Sequence, residues 1–341
     1  MSHISIIGTG SYLPEHIITN DKLSSFLDTS DEWIRTRTGI RERRVSTGMS
    51  TSDLAYEAGV RALKNSGLRP EDIDLIICAT ITPDYFMPSC ACIVQDRLGA
   101  SNAAAFDMAA ACTGMIYGMV CAEQFIKSGM YNNILVIGAE TLSKVLDWED
   151  RSSCVLFGDG AGAVVMSKSN EGGRILLSRL EADGSKSSLL ICPAIPMQNP
   201  FANNNTQALS ELNNERMSNQ GIFKLPKIEM LGQEVFKYAV RTISDSIDTI
   251  IRITKLDKEE ITYIIPHQAN QRIIEQASKS CKIPLDKFYM NLDRYGNTSA
   301  ASIGIALDEL VSSGRLRKRD RIILVGFGGG MTSGCILLEW R

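Results

Sequence analysis

The chain predicts an α/β fold built from two pseudo-symmetric halves, on three observations. Short β-rich apolar runs, such as LIICAT at 75–80 and ILVIG at 134–138, have the composition of strands buried on both faces. They alternate with helical patterns such as 52–65, which places helices over the sheets. The same succession then recurs: LRPEDIDLII at 68–77 resembles LDKEEITYII at 256–265, both being acidic starts that lead into a buried strand.

The repeat continues in register. AAACTGMIYGMVCAEQFIKSG, ending at Gly129, aligns with RYGNTSAASIGIALDELVSSG, ending at Gly314, and the interval from Cys112 to Gly129 equals that from Asn297 to Gly314. Each helix is followed by a strand and a glycine, NNILVIG to Gly138 and DRIILVG to Gly326. Two halves, 1–170 and 171–341, follow from this pattern, as does face-to-face packing of their helix and sheet layers. Within the second half, 193–221 is rich in Asn, Pro and Ser and reads as a loop.

The chemistry-bearing residues sit at equivalent points of the repeat. Cys112 follows three alanines and precedes a helical pattern, so its thiol is expected at a helix N-terminus, where the dipole and free N–H groups favour thiolate. The small residues Ala109, Ala110, Ala111 and Gly114 leave room for a substrate. A buried core thiol is the competing reading. Asn297 holds the matching position in the second half and reads either as a helix N-cap or as a partner of Cys112. His267 follows the strand ITYIIP, where open α/β sheets place ligands, although a lone histidine is also a common structural group. Glycine runs at FGDGAGAVV and GFGGGMTSG allow close backbone approach and can present N–H groups to an oxyanion. Both also read as tight turns, and neither is a P-loop.

Composition excludes several classes. A formal net charge of -3 gives no whole-chain case for nucleic acid or a membrane surface. No apolar run approaches the roughly 20 residues of a membrane span, and the opening MSHISIIGTGSYLPE lacks the regions of a signal peptide, so a cytoplasmic protein is expected. The 9 cysteines form no CxxC pair or Cys/His cluster, which argues against disulfides and zinc.

Taken together, DTSDEWIRTRTGIRERR, AAACTGMIYG, DRSSCVLFGDGAGA, PHQANQRII, YGNTSAAS and GFGGG resemble the β-ketoacyl-acyl-carrier-protein synthase III family of bacterial fatty-acid synthesis, from Ile4 to the C-terminus. The resemblance implies the thiolase fold, layered α-β-α-β-α, in a homodimer. It implies condensation of an acyl-CoA with malonyl-acyl carrier protein, with loss of CO2 and with no metal or redox cofactor. Cys112 then corresponds to the acyl-accepting cysteine, with His267 and Asn297 completing the triad and Gly329 contributing to an oxyanion site. Trp33, Arg37, Arg151 and Asn270 map to the coenzyme A site. Lys237 and the stretch Gln268, Ala269, Asn270, Gln271 and Arg272 map to the carrier-protein surface. For Arg37, Arg41, Arg43 and Arg44 an ordinary solvated charge run competes with a binding role.

Two departures from the family pattern bear on substrate. Met87 in YFMPS replaces the usual Phe at a position that resembles the acyl-pocket wall lent by the partner subunit, and the loop over 196–221 is longer than usual. Both leave open a related enzyme of specialised metabolism that uses an unusual acyl-CoA. A Cys-His-Asn thiol hydrolase shares the residue types, but the repeat and the absence of CG[SA]C[WY] around Cys112 count against it. A non-catalytic subunit would lack the cysteine.

Overall fold

The computed structural model describes residues 3–194 and 227–341, so most of the segment read as a loop, including 196–221, lies outside the described residues. The first half builds β1 (His3–Tyr12), β2 (Leu75–Ala79), β3 (Ala104–Met108), β4 (Ile134–Glu140) and β5 (Gly160–Ser169). The second builds β6 (Gly173–Ala182), β7 (Ile261–Pro266), β8 (Arg321–Gly328) and β9 (Thr332–Trp340).

Their spatial order, β7-β8-β9-β6-β1-β5-β4-β2-β3, reveals the repeat as topology. Counted within its half, the first set stands 1-5-4-2-3. The second set stands in the same order, with a single parallel bridge between Ile264 and Phe288 where a third strand would be. In each half the pairing to the first strand is antiparallel and the inner pairing is parallel. A short pairing of Ser5 with Arg174 and Ile6 with Gly173 joins the two halves into one 9-stranded sheet.

Helices cover both halves because the strands are apolar on both faces. Along β2, Leu75 and Ile77 point into a central core while Ile76 and Cys78 point into an outer one, as the two-residue strand period requires. The outer core is closed by α2 (Thr51–Ser66) and α3 (Cys90–Leu98). A capping box between Ser50 and Asp53 starts α2, and Gly67, at φ 73°, ends it. On the far side, α5 (Gly232–Thr254) and α6 (Gln271–Cys281) cover β7 and β8. The central core holds α4 (Gly114–Ser128) and α7 (Ala301–Ser312), sandwiched between the halves. No helix among the described residues is long and apolar enough to cross a membrane.

The central layer is thin because small residues meet there. A Cβ on Gly162 of β5 would lie 2.6 Å from the backbone carbon of Gly304 in α7, and one on Gly138 of β4 would lie 2.3 Å from the Ala300 carbonyl. Gly162→Ala must therefore push α7 off the sheet, and overpacking of this kind costs about 1–3 kcal/mol. Gly48→Ala, whose Cβ would meet nothing within 4 Å, is the control. Urea unfolding midpoints should fall for Gly162→Ala and stay unchanged for Gly48→Ala.

Candidate active site

Three chain segments deliver the predicted triad to one place. Cys112 lies in a single 3-10 turn, Ala111–Thr113, that leads into α4. The preceding Ala111 has φ 46°, a left-handed conformation costly for a residue with a Cβ. Gly328, at the end of β8, packs against it so closely that a Cβ there would lie 2.7 Å from the Cys112 nitrogen. His267 follows β7 directly and is anchored by its N–H to the Val325 carbonyl, 2.8 Å away. Asn297 donates its backbone N–H to the Leu156 carbonyl at 2.8 Å and accepts from Gly158 at 3.0 Å.

Cys112, His267 and Asn297 all line one small cavity of about 90 Å³, together with Gly328 and Phe327. Cys112 also opens onto a larger, mostly apolar cavity of about 780 Å³, whose walls include Ile81, Phe86, Leu142, Phe157, Ser299 and Gly329. The sulfur thus stands where a wide apolar chamber meets a narrow one that gathers His267, Asn270 and Asn297 among apolar walls.

The electrostatics differ from expectation. Burial pushes the Cys112 thiol up to about 12, with the negative charge of Glu140 adding to the rise, while the Ser299 hydroxyl and the cysteine's own N–H only partly oppose it. The helix start does not produce a resting thiolate here, because desolvation of a fully enclosed sulfur outweighs a partial charge at one helix end. His267 is buried as well, and burial lowers it to about 3, so the ring is neutral. Its Nδ1 meets Ser302 Oγ at 2.8 Å and its edge rests against Phe327. Asn297 Oδ1 accepts the Ser299 N–H at 2.8 Å, which leaves the Nδ2 end of the amide for the cavity.

Several expectations need correction. Asn297 does not cap a helix, since α7 begins at Ala301 with Ala300 at its cap. Gly114 makes room for packing against Ala79 and Ala300, not for substrate. Arg43 belongs to no solvated run: it is fully buried, donating to the Ile18 and Val155 carbonyls and to Asn20 Oδ1. Gln268 is 1 % exposed and bonded to Pro266, Tyr289 and Asn291, so it has no place on a docking surface. It fixes the turn behind His267 instead.

The other expected residues fall into two groups. Trp33, on α1 (Asp31–Thr38), carries the Arg37 guanidinium 4.6 Å from its ring centroid and that of Arg151 at 5.2 Å, and Asn270 donates to the Arg37 carbonyl at 3.1 Å. Trp33, Arg37, Arg151 and Asn270 are thus one cluster, and Asn270, with Ala269, also lines the small cavity. Arg272 and Lys237 are exposed, the latter ion-paired with Glu234 at 2.7 Å, while Gln271 bonds Glu275 and lies over Gly39. Met87 is 84 % exposed on the loop between β2 and α3, beside the equally bare Phe86, and unlike Phe86 it does not line the large cavity that holds Cys112.

Sequence reasoning missed Glu140, Ser299 and Ser302. The two serines lie in the motif that carries Asn297, and Glu140 is an acid closing an otherwise apolar strand, a signal open to reading.

The sequence model described as 3-oxoacyl-[acyl-carrier-protein] synthase III matches residues 106–184, and that of its C-terminal part matches 251–340. A beta-ketoacyl-[acyl-carrier-protein] synthase III of Clostridium botulinum (strain Okra / Type B1) is 53 % identical over 340 residues, covering 100 % of this chain and 99 % of that one. The chain belongs to this family. It has the thiolase fold shared by the family's solved members. The 3-oxoacyl-[acyl-carrier-protein] synthase III of Aquifex aeolicus VF5 aligns with a TM-score of 0.87 at 44 % identity, covering 99 % of this chain and 100 % of its own. The priming β-ketosynthase of the R1128 polyketide pathway aligns with a TM-score of 0.87 at 30 % identity, covering 100 % and 97 %.

Because its thiol is held protonated, Cys112 in this family member should alkylate slowly at neutral pH. Its iodoacetamide labelling, followed on the Cys112 peptide by mass spectrometry, should keep rising from pH 7 to pH 10 without a plateau. A plateau with a midpoint below pH 8 would contradict the burial argument.

Proposed function

We infer that this chain catalyses the decarboxylative condensation of an acyl-CoA with malonyl-acyl carrier protein, giving a 3-oxoacyl-acyl carrier protein and so initiating fatty-acid synthesis. The observation that carries this reading is the meeting of Cys112, His267 and Asn297 in one small cavity that opens, at the sulfur, onto an apolar chamber. Cys112 takes the acyl group, whose chain enters the apolar chamber, and exchange of one thioester for another keeps that group activated. Malonyl thioester then enters on the side of His267 and Asn297. Loss of CO2 generates an enolate whose oxygen needs donors, and the buried neutral His267 suits that task. With Ser302 Oγ–H donating to Nδ1, the ring proton lies on Nε2, and Asn297 Nδ2 supplies the second donor. The Gly329 N–H, on the wall beside Cys112, serves the oxyanion formed when the enolate attacks the acyl carbonyl. No cofactor takes part.

The indole of Trp33 between two guanidiniums supports binding of a flat, anionic nucleotide, which fits the coenzyme A end of the substrate. Lys237, Arg272 and the ledge of Ala269, Asn270 and Gln271 beside it form the docking face for an acidic carrier protein in this reading. Two chains pair so that the bare Met87 closes the partner's apolar chamber. Strand β3, at the edge of the sheet among the described residues and with Phe106 partly exposed, supports such pairing. A cytoplasmic homodimer of two halves, 1–170 and 171–341, completes the proposal.

Replacing Asn297 or His267 by Ala removes a donor aimed at the enolate oxygen, a loss that typically costs about a hundred- to a thousand-fold. CO2 release from malonyl carrier should fall by that factor in each variant while acyl-Cys112 still forms by mass. Normal condensation in Asn297→Ala, or lost acylation with intact decarboxylation, would overturn the assignment. Met87→Phe places a larger, stiffer ring at the partner's chamber and should narrow the range of acyl-CoAs accepted, with little effect on the smallest. An unchanged acyl-CoA preference profile would remove Met87 from the pocket.

A further inference from the structure

Glu140 is a fully buried carboxyl that the condensation does not use. It closes β4 and is held by donors that carry no charge: Thr80 Oγ1 and Ser299 Oγ at 3.2 Å, the Ile81 N–H, and the hydroxyl of Thr82. Of these, Ser299 differs in kind. Its backbone is held left-handed, at φ 47°, with its N–H clamped by Asn297 Oδ1, and its hydroxyl donates to Glu140 Oε1 at 3.2 Å, shares the chamber wall with Cys112 and draws the Cys112 thiol down. A single hydroxyl therefore stands between a nucleophile and a buried carboxyl, on the wall of the chamber into which the sulfur opens.

We propose that, as Cys112 attacks an acyl thioester, its proton leaves through the Ser299 hydroxyl to Glu140, which acts as the base for acylation. The inference rests on Cys112 being the acyl-accepting nucleophile. At attack, the sulfur–carbon bond forms and the carbonyl π pair moves to oxygen. The S–H proton passes to Ser299 Oγ while the Ser299 proton passes to Oε1 of Glu140. Collapse of the tetrahedral adduct breaks the bond to coenzyme A sulfur, and the proton returns from Glu140 through Ser299 to that leaving thiolate. The net change is acyl-Cys112 and free coenzyme A thiol. Glu140 touches no reacting atom, so it is a positioning residue for the proton, and Ser299 is the contact.

Proton affinities support this direction. The thiol lies at about 12, so at rest the proton stays on sulfur and moves only as the new bond makes the S–H strongly acidic. Burial, only partly offset by its four kinds of donor, raises Glu140 to about 7, a value suited to a base at neutral pH. His267, at about 3 and with Nδ1 engaged by Ser302, is a far weaker acceptor. The titratable groups that face Glu140 are Cys78 on β2, held as a thiol by its hydrogen bond with Cys90 and by burial, and Cys112, held as a thiol by burial and by the carboxyl itself. Lys144, on the turn after β4, gives its ammonium to the Thr82 and Pro83 carbonyls and to Thr51 Oγ1.

The test separates the half-reactions. Acyl-Cys112 formation from acetyl-CoA is followed by intact mass in single turnover from pH 5.5 to 9, for wild type, Glu140→Gln and Ser299→Ala. Pre-acylated enzyme is then mixed with malonyl carrier and its consumption timed. Since the base must be a carboxylate, wild-type acylation should rise through a midpoint near pH 7 and level off. Both variants should lose that midpoint and acylate about a hundred-fold more slowly at neutral pH, with condensation slowed far less. Wild-type rate and midpoint in Glu140→Gln, or an equal slowing of both half-reactions, would overturn the relay. If Glu140→Gln does not fold, Ser299→Ala decides alone, and an intact pH profile there rejects the proposal. Wild-type enzyme that acylates a cysteine other than Cys112 would instead overturn the assignment of the nucleophile, and the relay with it.

Discussion

The close approach of α7 to strands β4 and β5 is the constraint on which the site rests. Where Gly162 faces Gly304 and Gly138 faces the Ala300 carbonyl, backbone meets backbone, and no side chain sets the spacing. That contact carries the start of α7, and hence Asn297, Ser299 and Ser302, onto the carboxyl end of a strand from the other half. Cys112 arrives from the opposite direction at the start of α4, which shares the same central layer. A wider layer, filled by ordinary apolar side chains, would leave the two halves intact and their active groups apart.

Enclosure by this layer also sets the chemistry. Burial raises the acids and lowers the base: Cys112 to about 12, Glu140 to about 7, His267 to about 3. Cys112 and His267 are thereby held neutral before substrate arrives, which avoids the cost of a lone buried charge, while Glu140 is poised between its two forms at neutral pH. Neutral imidazole is the form that donates to an enolate oxygen without being consumed as a base, and a protonated thiol is spared idle side reactions. The helix start contributes position more than charge, since the left-handed Ala111 and the bare Gly328 packed against it fix the turn that carries Cys112.

The two chambers differ in size and in the polar groups they hold. Apolar walls suit an acyl chain, and the loop that ends in Phe86 and Met87 leaves apolar surface that its own chain does not cover. The small chamber, which holds Asn270 beside His267 and Asn297, has room for little more than the reacting end of a thioester.

The amino-acid sequence by itself determined the α/β class and the internal repeat, because hydrophobic period, glycine position and chain interval survive without coordinates. The repeat singled out Cys112, His267 and Asn297 as candidates, and the resemblance to a family of condensing enzymes gave them their expected roles. Only the tertiary structure decided their protonation, since the depth of burial depends on what the other half lays over them. It also decided which polar residues are structural. Arg43 and Gln268 carry polar side chains that read as surface, and both are buried because backbone carbonyls from distant segments satisfy them. Glu140 and Ser299 lie 159 residues apart in the chain, and no local pattern joins them. Their hydrogen bond exists because α7 rests on β4, a contact made by residues too small to announce it.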